Sequence, residues 1–475
     1  MVPDRFAPVL AELGPLARRF TDAGHRLYLV GGIVRDLLVG TAAPGSDIDL
    51  TTDATPEQIR GCVSGWADAV WNQGEAFGTV GIRKGRTADG QVYEITTFRA
   101  EVYHDDSRKP AVTFSTSIEE DLGRRDFTIN AMALEVTGDG TAPTLVDPYG
   151  GTTDLVAKVL RTPLAPEISF DDDPLRMLRA ARFTARFEVT PTPDLVAAVE
   201  SRRQRLAIVS AERVRDELDK LMVVDHPGPG LWFCVDTGLA EEFLPELPGL
   251  RLEHDPIHRH KDVLSHTVAV VDNVRPPAGD ESYDFRVTRL AALFHDVGKP
   301  RTRGFQPGKG TTFHHHDAVG ARMTRKRMKA LRYPTADIAA VGELVALHLR
   351  FHTYKMGWSD SAVRRYVRDA GPLLAELNVL TRCDCTTRDP RKAAKLSRRM
   401  DDLEIRIDEL AAAEELAALR PEIDGNDVME LLGVAPGRII GQALEFLLEI
   451  RIEEGIIGRE AAEVRLREWY AAPDR

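Results

Sequence analysis

Asp47 and Asp49 flank a single apolar residue, Ile48, in the stretch LVGGIVRDLLVGTAAPGSDIDL. In a strand, residues two apart share a face. Both carboxylates would then point one way while Ile48 and Leu50 point into a core. Two carboxylates on one face repel each other unless a divalent cation sits between them. Mg²⁺ ions bridging such carboxylates and substrate phosphates are suited to nucleotidyl transfer, one activating the attacking hydroxyl and the other holding the leaving pyrophosphate. The Gly31-Gly32 pair ends a short apolar run at what reads as a helix start. It offers free backbone N–H groups and the positive end of a helix dipole to a triphosphate. Arg35, one turn in, can reach the same phosphates. Glu94, in the strand-like VYEITTFR, is the candidate third acid.

A second constellation lies downstream. His266, His295-Asp296, the run His314-His315-His316, His348 and Asp384 fall on successive helix-like segments. Histidines and aspartates so spaced can converge on a divalent metal, and neutral imidazoles suit Mn²⁺, Co²⁺ or Ni²⁺ better than Mg²⁺. Cys383 and Cys385 flank Asp384 and are expected to be buried, reduced thiols.

The elements that must hold these groups divide the chain. RLYLV, DIDLTT, GTVGIRKG, QVYEITTF and TINAMALEV are rich in β-branched residues and predict strands, with a hairpin turn at Thr87–Gly90. After VDPYGG the strand signals stop, and from about Pro166 helix is expected to follow helix. Domains are expected at 1–165 (head), 166–250 (neck), 251–395 (body) and 396–475 (tail).

With 475 residues, 43% hydrophobic and 29% charged, the composition is that of a soluble multidomain protein. No run is apolar enough to span a bilayer, so no membrane association is expected. The N-terminus reads as an amphipathic helix without a signal-peptide core. Four cysteines without a CxxC favour a reduced, cytoplasmic setting. The net charge of −12 excludes a protein that coats nucleic acid over its whole surface. Basic runs at Arg322–Arg332 and Arg388–Arg399 remain as local patches or solvated helix faces.

Taken in order, LVGGIVRDLL…DIDL, YEITTFRAE, RRDFTINAMAL, DPYGGTTDLVAKVLR, DDDPLRMLRAARFTARF and SAERVRDELDKLM resemble the tRNA nucleotidyltransferases of the CCA-adding type, bacterial class II, relatives of the bacterial poly(A) polymerases. The resemblance implies an α/β nucleotidyltransferase palm-like head, then an elongated all-α neck, an HD-type body and a helical tail that binds tRNA. It implies Mg²⁺-dependent addition of CCA to the tRNA 3′ end from CTP and ATP, without a template. It assigns Arg125 to the nucleotide phosphates, with Asp126 and Asn130 holding the loop. Base choice then needs a protein group. DDDPLRMLRAAR reads as a helix on which Asp173, Arg176, Arg179 and Arg182, three apart, form a slowly winding stripe. Asp173 can accept from the exocyclic amine shared by cytosine and adenine, and Arg176 can donate to the adjacent ring acceptor. Arg179 and Arg182 are left for stacking or phosphate. The family reader is Glu-Asp-x-x-Arg; here Asp172 shortens its first acid.

The His-Asp dipeptide followed by Gly-Lys resembles the HD phosphohydrolases. That resemblance makes His266, His295, Asp296 and Asp384 ligands of a second divalent metal, with His316 and His348 near the phosphate or a further metal. Rival readings are a poly(A) polymerase, a CC-adding enzyme and an HD phosphohydrolase. The full-length loop Ala100–Phe114, with Arg108-Lys109, favours complete CCA addition over CC alone. NQGEAFGTVGIRKG, where poly(A) polymerases carry a Gly-Arg-Arg-Phe-like signature, favours tRNA.

Overall fold

The computed structural model describes residues 3–42, 48–72, 78–85, 90–102, 111–138, 141–251, 262–279, 282–308, 310–353, 358–386, 389–414 and 420–472. Asp47, most of the Thr87–Gly90 turn and the centre of the Ala100–Phe114 loop lie outside the described residues. The chain divides into two compact units, Met1–Phe243 and Leu244–Arg475.

In chain order the strands of the first unit are β1 (Leu27–Val30), β2 (Ile48–Thr52), β3 (Ala69–Asn72), β4 (Thr79–Lys84), β5 (Gln91–Thr97), β6 (Arg99–Val102), β7 (Ala111–Phe114), β8 (Ala133–Glu135), β9 (Leu145–Val146), β10 (Val159–Leu160) and β11 (Thr190–Pro191). Among the described residues seven form one sheet in the order β3-β4-β5-β2-β1-β8-β9. β2 is central, antiparallel to β1 and parallel to β5. Its alternation is the cause: Ile48 and Leu50 are buried and Asp49 is exposed, so one face packs and the other carries the acid. The packed face joins Leu29, Leu50, Val80, Ile82 and Ile95 to Leu16 and Phe20 of the helix Ala7–Asp22 and to Ile59 of the helix Pro56–Val63. Each such buried side chain contributes roughly 1.5–3 kcal/mol.

TINAMALEV departs from the strand expected. Thr128–Asn130 is a 3₁₀ turn and pairing begins only at Ala133, because Asn130 is drawn to the Asp126 carboxylate at 3.0 Å. The neck is helical over Pro166–Asp172, Leu175–Arg186, Pro193–Arg202, Ala211–Met222 and Gly228–Asp236.

The second unit packs the helices Val263–Asn273, Phe285–Phe294, His316–Ala330, Thr335–Leu347, Asp360–Ala370 and Leu374–Cys383. Asp262 and Asp284 cap the first two through their carboxylates. An antiparallel hairpin, β12 (Arg303–Gln306) and β13 (Gly310–Phe313), interrupts them. The expectation of helix after helix missed it, and missed β10 and β11. Its turn dipeptide Pro307-Gly308 and the β-branched Thr311-Thr312 are the signals that mark it. The helix Pro390–Glu414 leads to three tail helices around Val428, Ala443, Leu447 and Leu466.

One glycine contact fixes the seam between the sheet and the following helix. Asp147 accepts from the N–H groups of Gly151 and Thr152 at 2.6 and 2.9 Å. A Cβ on Gly151 would lie 2.1 Å from the Thr128 carbonyl oxygen. Gly151→Ala is therefore expected to destabilise the first unit by about 2 kcal/mol or more, whereas Gly14→Ala, with nothing within 4 Å, should be nearly neutral. Urea denaturation of the two variants checks this; equal midpoints would contradict it.

Candidate active site and metal centre

β1 ends in Gly31, whose φ of 76° and ψ of −137° suit glycine alone. A Cβ there would stand 3.0 Å from Arg125 Nη1 and 3.9 Å from Asp49 Oδ2. The helix Gly32–Val39 begins at this turn. The parallel register of β2 and β5 sets Asp49 opposite Glu94. Asp49, Glu94, Gly31 and Arg125 thus form one cradle of two carboxylates, a glycine turn and a guanidinium. Arg125 is held by Asp121 at 3.3 Å, and its buried Nε has no protein partner. Two carboxylate side chains on adjacent strands, beside a cation at a helix start, fit a divalent ion with a triphosphate.

Arg35 sits elsewhere than the phosphate-reaching position expected of it. It is 5% exposed, bonded through Nε to Asp36 at 2.9 Å, bonded also to Asn130, and stacked 4.2 Å from the Phe187 ring. Burial draws its pKa down and Asp36 opposes that. Its guanidinium braces the helix against the Asn130 turn.

The base-reading stripe is also rearranged. Asp173 is not on the helix of Arg176: it ends Pro166–Asp172 in an extended conformation, because Pro174 disfavours a helical residue before it. Its carboxylate caps Leu175 N–H at 3.1 Å and pairs with Arg213 at 2.8 Å. Arg176 is 9% exposed and donates to Ser169 Oγ at 2.8 Å and to the Arg124 carbonyl at 2.5 Å. Arg179 binds Asp126 at 2.9 Å, and Arg182 binds Glu217 at 2.8 Å. Both tie elements together; Arg182, which is buried, needs Glu217 because buried charges persist only when paired. Burial pushes the Asp126 carboxyl up, but Arg179 and Asn130 outweigh it and hold it at about 2. Asp126 and Asn130 do hold the loop. Arg213 was missed; its signal was SAERVRDELDKLM, already singled out as a motif.

The second unit brings its histidines together. His295 donates Nδ1–H to the Ala292 carbonyl at 2.8 Å, His316 to Phe313 at 2.7 Å and His348 to Val345 at 2.7 Å. A carbonyl only accepts, so Nδ1 is the donor in each ring and Nε2 is the nitrogen left facing inward, able to bind a metal when it carries no proton. These Nε2 atoms converge: His266 to His295 at 3.2 Å and His316 to His348 at 3.3 Å. His266 Nδ1 meets Thr386 Oγ1 at 2.8 Å. Asp296 stands at the centre, 3.2 Å from His295, 3.7 Å from His266 and 3.4 Å from His316. Asp384 is 2.9 Å from His266. His266, His295 and Asp296 form one candidate metal-binding group, and Asp296, His316 and His348 another. Fixing Nδ1 on a carbonyl so that Nε2 faces inward is how metal-binding histidines are oriented. Burial lowers His295, but Asp296 and Asp384 carry it up to about 9; burial and the His295 charge drive His348 down to about 4. Such divergence marks a centre where cation charge is wanted and imidazoles crowd one another.

His314 and His315 are exposed and stand outside this cluster. His315, at φ 61°, turns the hairpin into the next helix. Lys299, bonded to Asp296 at 2.6 Å, joins the cluster as the lysine of the His-Asp-x-Gly-Lys pattern. Cys383 and Cys385 are only partly buried, a correction to the expectation of buried thiols; burial pushes Cys383 up to about 11.

Residues 27–161 match the Poly A polymerase head domain, 188–250 the Probable RNA and SrmB- binding site of polymerase A, and 263–389 the HD domain. An A-adding tRNA nucleotidyltransferase of Deinococcus radiodurans is 32% identical over 93% of this chain and 95% of its own. The chain belongs to the tRNA nucleotidyltransferase and poly(A) polymerase family. Within that family, the CCA-adding enzyme of Bacillus subtilis is 37% identical over 53% of this chain and 57% of its own, so such relatives match over little more than half their length. The solved CCA-adding enzyme of Bacillus stearothermophilus, in complex with CTP, shares the fold with a TM-score of 0.64 at 24% identity, covering 98% of each chain. That of Thermotoga maritima, complexed with tRNA, gives 0.61 at 19% identity over 98% of this chain and 96% of that one. No described helix is long and apolar enough to cross a membrane.

The inward-facing Nε2 atoms predict that Mn²⁺, Co²⁺ or Ni²⁺ raises the melting temperature of the chelator-stripped nucleotidyltransferase. At a hundred times Kd the gain would be about 2.7 kcal/mol. His295→Ala combined with Asp296→Ala should remove the shift. An unshifted transition with all three ions in the wild type contradicts the assignment.

Proposed function

We propose that this nucleotidyltransferase adds the 3′-terminal CCA to tRNA from CTP and ATP, releasing pyrophosphate, with no nucleic-acid template and in a cytoplasmic setting. The observation that carries the reading is the register that pairs Asp49 with Glu94 beside the Gly31 turn and Arg125, in a chain of this family. The terminal tRNA hydroxyl oxygen bonds to the α-phosphorus, the bond from that phosphorus to pyrophosphate breaks, and the hydroxyl proton passes to water. Asp47, Asp49 and Glu94 would hold Mg²⁺, which when bound neutralises charge developing on the phosphates. Gly31 and Arg125 grip the triphosphate, Gly32 lets the helix start come close, and Asp173 offers the base an acceptor. Asp173 remains partly exposed at 27%, with Arg213 beside it at 53%. Arg176 acts by holding the Asp173 turn from below, through Ser169 and Arg124. The tail 396–475 is assigned to tRNA.

The test uses tRNA lacking its end, tRNA ending in C and tRNA ending in CC, each with CTP, ATP or both, followed by sequencing of the products. CCA on the first substrate only when both nucleotides are present is the expected result. AMP on the CC-ending substrate alone would instead make this an A-adding enzyme, like its Deinococcus relative, and a run of adenylates would make it a poly(A) polymerase. Asp49→Ala should cost at least ~10²-fold in rate; near-normal CMP incorporation would overturn the metal-acid role. Asp173→Ala should cut discrimination of CTP against UTP by about tenfold or more, since a charge-assisted hydrogen bond is worth about 1.5–3 kcal/mol. An unchanged preference would refute the base-reading role.

The Nε2 convergence around Asp296 favours a second activity, metal-dependent hydrolysis of a phosphate ester at an RNA end such as a 2′,3′-cyclic phosphate. Water oxygen adds to phosphorus and one ring P–O bond breaks, leaving a monophosphate and a free hydroxyl.

A further inference from the structure

The hairpin β12–β13 is attached to the histidine cluster at both ends. Upstream is Asp296, bonded to Lys299; downstream is His316. Between them, residues 297–316 hold Lys299, Arg301, Arg303 and Lys309 and no acidic residue, in a chain of net charge −12. Paired residues of antiparallel strands share a face. Arg303 pairs with Phe313 and Phe305 with Thr311, so one face carries Arg303, Phe305, Thr311 and Phe313. The other carries Gly304, Gln306, Gly310 and Thr312. Phe305 is 71% exposed, the most exposed aromatic among the described large hydrophobics, and Arg303 is exposed beside it. Phe313, one step nearer the cluster, has the Lys299 ammonium 5.8 Å from its ring centre. Asp296, Lys299 and the Phe313 ring are thus in contact, and the strand register places Arg303 opposite Phe313 and Phe305 next on the same face, so cations and aromatic rings alternate outward from the cluster.

We propose that this hairpin is a finger for single-stranded RNA. An unpaired base stacks on Phe305, Arg303 binds the adjoining phosphate, and the strand's terminal phosphate is led along Phe313 and Lys299 to the cluster. The proposal rests on the phosphohydrolase reading of that site and adds what grips the substrate. Stacking platforms interleaved with cations are what single strands need, because every base has a π-face and every linkage a charge. The concentration of positive charge on an acidic protein favours a polyanion over a second copy of this chain.

The experiment compares wild type, Phe305→Ala, Phe305→Trp and Arg303→Gln as full-length chains. The substrates are an RNA hexamer ending in a 2′,3′-cyclic phosphate and the cyclic mononucleotide alone. The blocked end cannot accept nucleotides from the head. Phe305→Ala should raise KM for the hexamer about tenfold, leave mononucleotide hydrolysis unchanged, and be rescued by Phe305→Trp. Arg303→Gln should raise the hexamer KM and steepen no salt response for the mononucleotide. Independently of hydrolysis, a hexamer carrying 4-thiouridine should photo-crosslink to the peptide 303–313. An unchanged hexamer KM, or crosslinks confined to other segments, overturns the finger. A wild type that hydrolyses neither substrate with Mn²⁺, Co²⁺ or Ni²⁺ overturns the phosphohydrolase reading instead, and the crosslink alone then judges the finger.

Discussion

The parallel pairing of β2 with β5 is the constraint on which the head depends. It sets Asp49 against Glu94, and like charges on neighbouring strands cost energy unless a cation offsets them. The sheet tolerates the arrangement because both strands are anchored from their other face, by Leu50 and Ile95 in the packed core. The exposed face is then free to carry acid. β1 delivers Gly31 to the same edge, where its positive φ suits glycine and a Cβ would crowd the Arg125 guanidinium at 3.0 Å. Sheet register, glycine turn and carboxylates are therefore one device, not three.

The neck uses charge differently. Arg176 and Arg182 are expensive to bury and each is matched, by Ser169 and a carbonyl and by Glu217, while the partly exposed Arg179 pairs with the buried Asp126. Breaking one partner would strand a buried charge, which costs more than the pair contributes. Asp173 is thereby held at a fixed place while its carboxylate stays within reach of solvent. The second unit applies the same logic with imidazoles. Backbone carbonyls engage Nδ1 of His295, His316 and His348, and the Nε2 atoms are brought together around Asp296. The head offers carboxylate oxygens and the cluster chiefly imidazole nitrogens with Asp296, a difference in donors that would favour different ions if both sites take a metal.

Much of this was legible in the chain itself. Alternation in DIDL put Ile48 and Leu50 inside and Asp49 outside, and β-branched runs marked β1, β2, β4 and β5. The order of histidines and aspartates marked the cluster, although no periodicity could say that Nδ1 rather than Nε2 would meet the carbonyls. Helical spacing misled where Pro174 broke the helix, since a stripe drawn across a break joins residues that do not share an axis. Arg35 misled for another reason: position one turn past a glycine pair says what a side chain could reach, not that Asp36, Asn130 and Phe187 would claim it first. The hairpin at 303–313 was hidden by its short strands and by helical signals on both sides.

The claim at the centre of this account is that the carboxylates on β2 and β5 hold the metal that meets the triphosphate. Diffraction from crystals soaked with CTP and Mn²⁺, recorded for the anomalous signal of manganese, tests it most directly. The account predicts an anomalous peak against Asp49, beside Gly31 and bridged to the CTP phosphates, separate from any peak at the histidine cluster. Ordered CTP with manganese at the histidines and none at Asp49 would contradict it.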